Sequence, residues 1–258
     1  MSGYLCRDCP RRCGAWRDEA GGSGVCGMGA LPVLARAMLH HWEEPCLSGA
    51  CGSGAIFFSG CPLGCVFCQN EELSVRRKGE AVSAERLREI CFELIGAGAH
   101  NVNFVTPSHF VRAVAAALEG GLPVPAVYNC GGYESVEALH LLEGKIQVYL
   151  PDFKYMDADL ARRCCGAPDY PEAAKAAIRE MVRQAGPYVL DGDGLLRSGV
   201  LIRHLVLPGE AGAANALDVI DWVRDTFPPH TVLLSLMGQY VPCGRAKTMP
   251  DLNRPLAE

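Results

Sequence analysis

The sequence lacks any long run of basic residues, the longest being Arg76-Arg77-Lys78. With a formal net charge of -5 over 258 residues, it offers no electropositive footprint for nucleic acid. It lacks a long apolar run: the longest uncharged stretch, residues 45–70, is full of Gly, Ser, Cys and Pro and makes a poor membrane-spanning helix. Residues 1–10 lack a basic region followed by an apolar one, so no secretory signal is expected there and a cytoplasmic location is. There is no repeat of fixed period, Gly52-Ser53-Gly54 is too weak for a phosphate or dinucleotide loop, and no His-Glu-x-x-His pair supports a zinc hydrolase. Hydrophobic residues at 49% and charged residues at 21% are ordinary for a globular protein and exclude a disordered one.

What the sequence has in excess is cysteine. There are fourteen, nine of them within the first 68 residues. Without export, disulfides are disfavoured, and clustered thiols more often bind metal or carry redox chemistry. The chain divides into a Cys- and Gly-rich head over residues 1–54 and an alternating body over 55–258. Apolar runs at 55–59, 101–105, 126–129, 147–152, 199–207 and 232–237 read as six strands. Helical spacing at 83–95, 108–118, 134–142, 158–163, 171–185 and 213–227 separates them. Ser83 is placed to cap the first of these helices and Pro171 to open the fifth. Asp191-Gly192-Asp193-Gly194 reads as a hairpin or loop turn, and no helix is expected over 238–258. Strands separated by helices imply an α/β fold with parallel pairing, closed either as an open doubly wound sheet or as a partial barrel. Both place their chemistry at the carboxyl ends of the strands.

The sharpest motif stands directly after the first strand: Cys61-x3-Cys65-x2-Cys68, with Pro62 and Gly64 to turn the backbone and Phe67 before the third cysteine. Three thiols in so short a loop can reach three corners of a four-iron cluster and leave the fourth iron open. The plainer alternatives are a zinc loop or buried cysteines.

This loop resembles that of the radical S-adenosylmethionine (SAM) superfamily. The stretches Phe57–Cys61, Cys68–Asn70, Asn103–Pro107, Tyr149–Tyr155, Arg203–Pro208 and Leu236–Tyr240 are similar to the PflX-type relatives of pyruvate formate-lyase activating enzyme. The resemblance implies a partial (β/α)6 barrel, and a [4Fe-4S] cluster on Cys61, Cys65 and Cys68 with SAM on its open iron. It also implies reductive cleavage of SAM to a 5′-deoxyadenosyl radical that abstracts hydrogen. An electron donor such as flavodoxin or ferredoxin is implied as a partner, and a glycyl-radical enzyme as the substrate, with another peptide or a small molecule as the alternative. Neither a nucleic acid nor a membrane is expected as a partner.

Asp152 and Lys154 resemble the Asp-x-Lys that lies beside SAM in the activating enzymes. The alternative is a surface ion pair. Arg203 and His204 resemble the basic segment of the fifth strand; alternation puts them on opposite faces, so one of them points inward. Asn129 is suited to the ribose, or is a turn residue before Gly131-Gly132. Met237 and Gln239 are suited to the adenine, although Met237 suits a core equally. Where the activating enzymes carry Gly-Gly-Glu after the second strand, this chain has Val105-Thr106-Pro107. Only the Thr106 hydroxyl stands in for the usual carboxylate.

In the head, Cys6-x2-Cys9-x3-Cys13 and Cys26 make a second group of four, suited to zinc or to an auxiliary iron–sulfur cluster. Cys46, Cys51, Cys91, Cys130, Cys164, Cys165 and Cys243 have no ligand spacing and are expected as small hydrophobes, with Cys130 facing the active-site mouth. An alternative to enzyme function is a non-catalytic iron–sulfur electron carrier.

Overall fold

The computed structural model describes residues 3–256. The apolar runs of the body become parallel strands, and one further strand from the head joins them. In chain order these are β1 (Val33–His40), β2 (Ser53–Phe58), β3 (Val102–Val105), β4 (Ala126–Cys130), β5 (Val148–Pro151), β6 (Leu196–Leu205) and β7 (Val232–Met237). Their order in the sheet is β7-β6-β5-β4-β3-β2-β1. Strands β2 to β7 pair in parallel, and β1 runs antiparallel to β2. The order follows the chain without reversing, so there is no switch point of the doubly wound kind.

Besides two single turns at Pro45–Ser48 and Glu71–Ser74, the helices between the strands are α1 (Ala84–Gly96), α2 (Val111–Ala117), α3 (Val136–Leu139), α4 (Ala158–Cys165), α5 (Tyr170–Ala185) and α6 (Glu210–Thr226). Local chemistry sets their limits. Ser83 Oγ accepts a hydrogen bond from Arg86 N at 3.1 Å, which starts α1, and its buried face is Leu87, Ile90, Cys91 and Leu94. Asp157 caps α4 in the same way through Leu160 N at 2.6 Å, and Gly166 ends it in the left-handed conformation. The helix expected over 108–118 opens with a 3-10 turn at Ser108–Phe110, and that over 134–142 is only the short α3 followed by a 3-10 turn at His140–Leu142. Asp191 accepts in the tight turn that pairs Val189–Leu190 with β6. Beyond residue 238, the described residues carry only a 3-10 turn, Gly244–Thr248.

The described strands of the head fall in two sheets. Tyr4–Leu5, Trp16–Asp18 and Gly21–Gly22 make a small antiparallel sheet of their own, while Val33–His40 completes the main sheet. The Cys-rich composition hid that second strand. The small sheet is pinned by Arg17, which is 1% exposed and donates to Gly29 O (Nε, 2.9 Å) and His109 O (Nη1, 2.5 Å). Among the cysteines expected as small hydrophobes, Cys91, Cys130, Cys164 and Cys165 are buried, Cys46 and Cys243 half-buried, and Cys51 exposed. No helix among the described residues is long and apolar enough to cross a membrane.

One glycine is fixed by close approach. Gly132, just past β4, has φ +76°, and a Cβ there would collide with the Asp152 carbonyl oxygen and stand 2.9 Å from Tyr170 Oη. Tyr170 Oη ties the ends of β4 and β5 together. It accepts from Lys154 N at 2.9 Å and shares its proton between Gly131 O and Asp152 O, both at 2.8 Å. Gly132→Ala should therefore cost about 3 kcal/mol, backbone strain plus overpacking, read as a lower denaturant midpoint at unchanged slope.

Candidate active site

The carboxyl ends of the parallel strands open into one cavity of roughly 360 Å³. Its floor begins with the loop after β2. Gly60, at φ +81°, could not be replaced without meeting Met28 Cγ at 2.5 Å. The loop that follows is strapped from several sides. Arg11 Nε donates to Pro62 O at 2.9 Å and Arg11 Nη2 to Cys165 O at 2.6 Å, Val66 N donates to Cys164 O at 2.9 Å, and Arg245 Nη2 to Gly64 O at 2.8 Å. Phe67 packs edge-on between Tyr155 and Tyr240, at 6.3 and 6.0 Å between ring centres.

Held this way, Cys61, Cys65 and Cys68 are half-buried and all line the cavity. A donor is aimed at each sulfur: Leu63 N at Cys61 (3.4 Å), Tyr155 Oη at Cys65 (3.6 Å) and Ser74 Oγ at Cys68 (3.3 Å). Such donors favour thiolates and orient them as ligands. Without a cation the three oppose one another. Burial, then the neighbouring Cys65, push Cys61 up to about 12. Burial also raises Cys68, while the thiol of Cys165, hydrogen-bonded to Cys65, lowers Cys65. A positively charged inorganic centre is what lets all three ionise together, so the donor set fits an iron–sulfur cluster. Among the described residues no three Cys, His, Asp or Glu side chains gather to hold a single metal ion. A cluster asks for something different, one sulfur at each of three irons.

Above the loop lies a chain of largely buried ion pairs, their side chains 10–19% exposed. Asp152, past β5, accepts from Lys154 Nζ (2.6 Å) with one oxygen and from Arg203 Nε (3.0 Å) with the other. Burial would raise the Asp152 carboxyl, but Lys154 and then Arg203 outweigh it and hold it below the ordinary carboxylate range. Desolvation would lower Lys154, but Asp152 and then Cys65 outweigh it and raise it. Arg203, on β6, continues the chain to Glu43 Oε1 (2.8 Å) and Asn129 Oδ1 (2.8 Å). Thr106 stands at φ +61°, which is strained for a β-branched residue. Its N–H donates to Asn129 O at 2.8 Å, and Thr106, Asn129, Met237 and Gln239 all line the cavity.

Of the residues expected here, His204 is the one placed elsewhere. Alternation along β6 turns Arg203 inward and His204 outward. His204 is fully buried, with Nδ1 2.6 Å from Phe153 O, and burial lowers its pKa. It is not a wall of the cavity, so the expected cofactor or catalytic role does not fit its position. Three residues from the head escaped the sequence reading: His40, Trp42 and Glu43 line the cavity too, and Trp42 is 90% exposed at its mouth. In the head itself, Cys6, Cys9 and Cys26 are buried and Cys13 exposed. They lie near enough to act on one another: burial raises Cys9 to about 12 with Cys6 and Cys26 adding to it, and burial raises Cys26 with Cys6 and Cys13 adding.

No protein-family profile matches the chain. An uncharacterized protein of Methanocaldococcus jannaschii is 28% identical over 261 residues, spanning 97% of this chain and 70% of that protein. Among solved structures, methylornithine synthase superposes with a TM-score of 0.50 at 17% identity, over 79% of this chain and 58% of the other. SuiB of Streptococcus suis bound to S-adenosylmethionine does so with a TM-score of 0.49 at 13% identity, over 77% and 41%. The chain thus spans less than two thirds of either solved structure. At such identities, what is shared with methylornithine synthase is the fold, a mixed α/β architecture around a parallel sheet.

Proposed function

We propose that this chain is a radical SAM enzyme, in which Cys61, Cys65 and Cys68 hold a [4Fe-4S] cluster and the adjoining cavity binds SAM. The observation that carries the reading is that three sulfurs of one short loop, each with a donor on it, open into the same cavity as the ion pairs of Asp152, Lys154 and Arg203. When bound, cluster and SAM together supply reductive cleavage of the sulfonium to a 5′-deoxyadenosyl radical that abstracts hydrogen.

The chain's own residues bind and orient. Lys154, with ammonium protons left over after Asp152, would take the SAM carboxylate by charge-assisted bonds, and the anionic Asp152 would take the ammonium. Asn129 would meet the ribose hydroxyls, the Thr106 hydroxyl would add one acceptor, and Phe67, Met237 and Gln239 would close the walls. In its finer form the proposal is an activating enzyme for a glycyl-radical partner, fed by a flavodoxin- or ferredoxin-type donor. The likeness of the Asp152-x-Lys154 and Arg203-His204 segments to the activating enzymes supports it. Cys6, Cys9, Cys13 and Cys26 would hold a second cluster rather than the alternative, zinc, because among the described residues no three such side chains gather around a single metal ion.

An anaerobically reconstituted and reduced sample given SAM should release 5′-deoxyadenosine. Replacing Cys61, Cys65 and Cys68 together by alanine should abolish that release and the iron of this site, while metal bound by the head remains. Undiminished iron in the triple variant, or cluster absorbance without cleavage in the native chain, overturns the reading. Lys154→Met is expected to weaken SAM binding about ten- to a hundredfold, the worth of one hydrogen bond to a charged group. The iron content of that variant should be unchanged, and equilibrium binding and iron assay on one preparation check both.

A further inference from the structure

Glu43 belongs to no motif, yet it is the residue on which the polar wall of the cavity converges. It follows β1, beside the exposed Trp42, with its side chain 10% exposed. Its Oε1 accepts from Arg203 Nη1 at 2.8 Å. Its Oε2 accepts from Asn129 Nδ2 at 3.0 Å and from Asn103 Nδ2 at 3.1 Å. One carboxylate thereby joins residues of β3, β4 and β6. Asn103 is fully buried and keeps its own Oδ1 without a hydrogen-bond partner while giving its amide to Glu43. A buried carbonyl oxygen is costly to leave bare, so the carboxylate is held at the expense of a neighbour's satisfaction.

The consequence falls on Asn129. An asparagine amide can turn over, exchanging its donor end for its acceptor end. Here its nitrogen faces a carboxylate, which only accepts, and its oxygen faces Arg203 Nη2 at 2.8 Å, which only donates. Glu43 and Arg203 together fix one orientation. After those two bonds the Asn129 amide retains one N–H and one lone pair, the complement of a pair of vicinal hydroxyls.

We infer that Glu43 is a positioning residue that sets the Asn129 amide for recognition of a ribose diol. This rests on the nucleoside-binding reading of the cavity given above. Glu43→Gln is the informative change, because its amide nitrogen meets only donors in either sense, Arg203 in one and the amide nitrogens of Asn103 and Asn129 in the other, so the pair that fixes Asn129 is broken. The Asn129 amide then loses its fixed sense.

The test is equilibrium binding of 5′-deoxyadenosine and of 2′,5′-dideoxyadenosine to the full chain, before and after Glu43→Gln, with Glu43→Ala as a second variant. The native chain should prefer the ribonucleoside by about tenfold, the worth of a satisfied hydrogen bond, and the ratio should fall towards one in both variants. A general loss of stability would lower both affinities and leave the ratio standing. If the native chain binds neither nucleoside, the cavity reading itself is wrong. If it discriminates and the variants discriminate equally, the role given to Glu43 is wrong while the cavity reading survives. If neither variant folds, Glu43 is a structural residue and the inference falls.

Discussion

Arg203→Met should unfold about 3–5 kcal/mol more easily than the native chain, the usual consequence of removing one partner from a buried ionic network. Arg203 is 14% exposed and stands between two carboxylates, Glu43 at 10% and Asp152 at 18%. Methionine matches its stem but removes the cation that the two acids share. Asp152 keeps Lys154, whereas Glu43 keeps only the amides of Asn103 and Asn129. The larger share of the loss therefore belongs to Glu43, and Arg203→Met combined with Glu43→Gln should recover about 1–2 kcal/mol of it. The acid side gives a second check. Asp152 is held below its ordinary range in the folded chain, so its pairing stabilises above that range and is lost as pH falls through the folded value. The deficit of Arg203→Met should be widest near neutrality and narrow in acid. A deficit below about 1 kcal/mol, the level of a solvent-screened pair, would mean that the network is open to water and does not form a preorganised wall.

That network also shows how far the sequence could be read. Asp152, Lys154 and Arg203 stood out because they resemble segments of the activating enzymes, and they and Asn129 lie at the ends of apolar strands, where period-two alternation and chain topology bring side chains to one mouth. Alternation likewise foretold that only one of Arg203 and His204 could point inward, without saying which. Glu43 gave no such sign. In sequence it is one of two acids before a proline, in a segment whose Cys- and Gly-rich flanks masked the strand Val33–His40. Only the antiparallel register of β1 on β2, His40 opposite Ser53, carries residues 40–43 to the cavity, 160 positions away from Arg203. The Cys61–Cys68 loop was legible from spacing alone. Its supports were not: Arg11 reaches it by tertiary contact, and although Tyr155 closes a stretch that resembles the activating enzymes and Ser74 is six residues past Cys68, nothing in the sequence marks either as a donor to a sulfur.

A second large effect concerns Glu134, which the proposed chemistry does not use. It is buried behind the cavity, accepting from Ser108 Oγ and, at 3.1 Å, from Tyr128 Oη. Burial raises it from 4.5 to about 7 although its hydrogen bonds pull the other way. A carboxyl raised on folding stabilises fully below its unfolded value and loses that contribution as pH rises through the folded one. The window is therefore pH 4.5 to 7, and the loss across it is about 3 kcal/mol. His109 acts in the opposite sense. Burial lowers it from 6.5 to about 3, so its contribution is present above 6.5 and is lost as pH falls. The two slopes offset each other in the native chain, and the difference between the native chain and Glu134→Gln isolates one of them. Glutamine keeps the shape, and the Ser108 hydroxyl can turn to accept from its amide. The variant should gain on the native protein steadily from pH 4.5 to 7 in denaturant titrations, by about 3 kcal/mol in all, and level off above. A difference that stays constant with pH would show that Glu134 titrates as an ordinary carboxylate and that the wall behind Cys130 is wet.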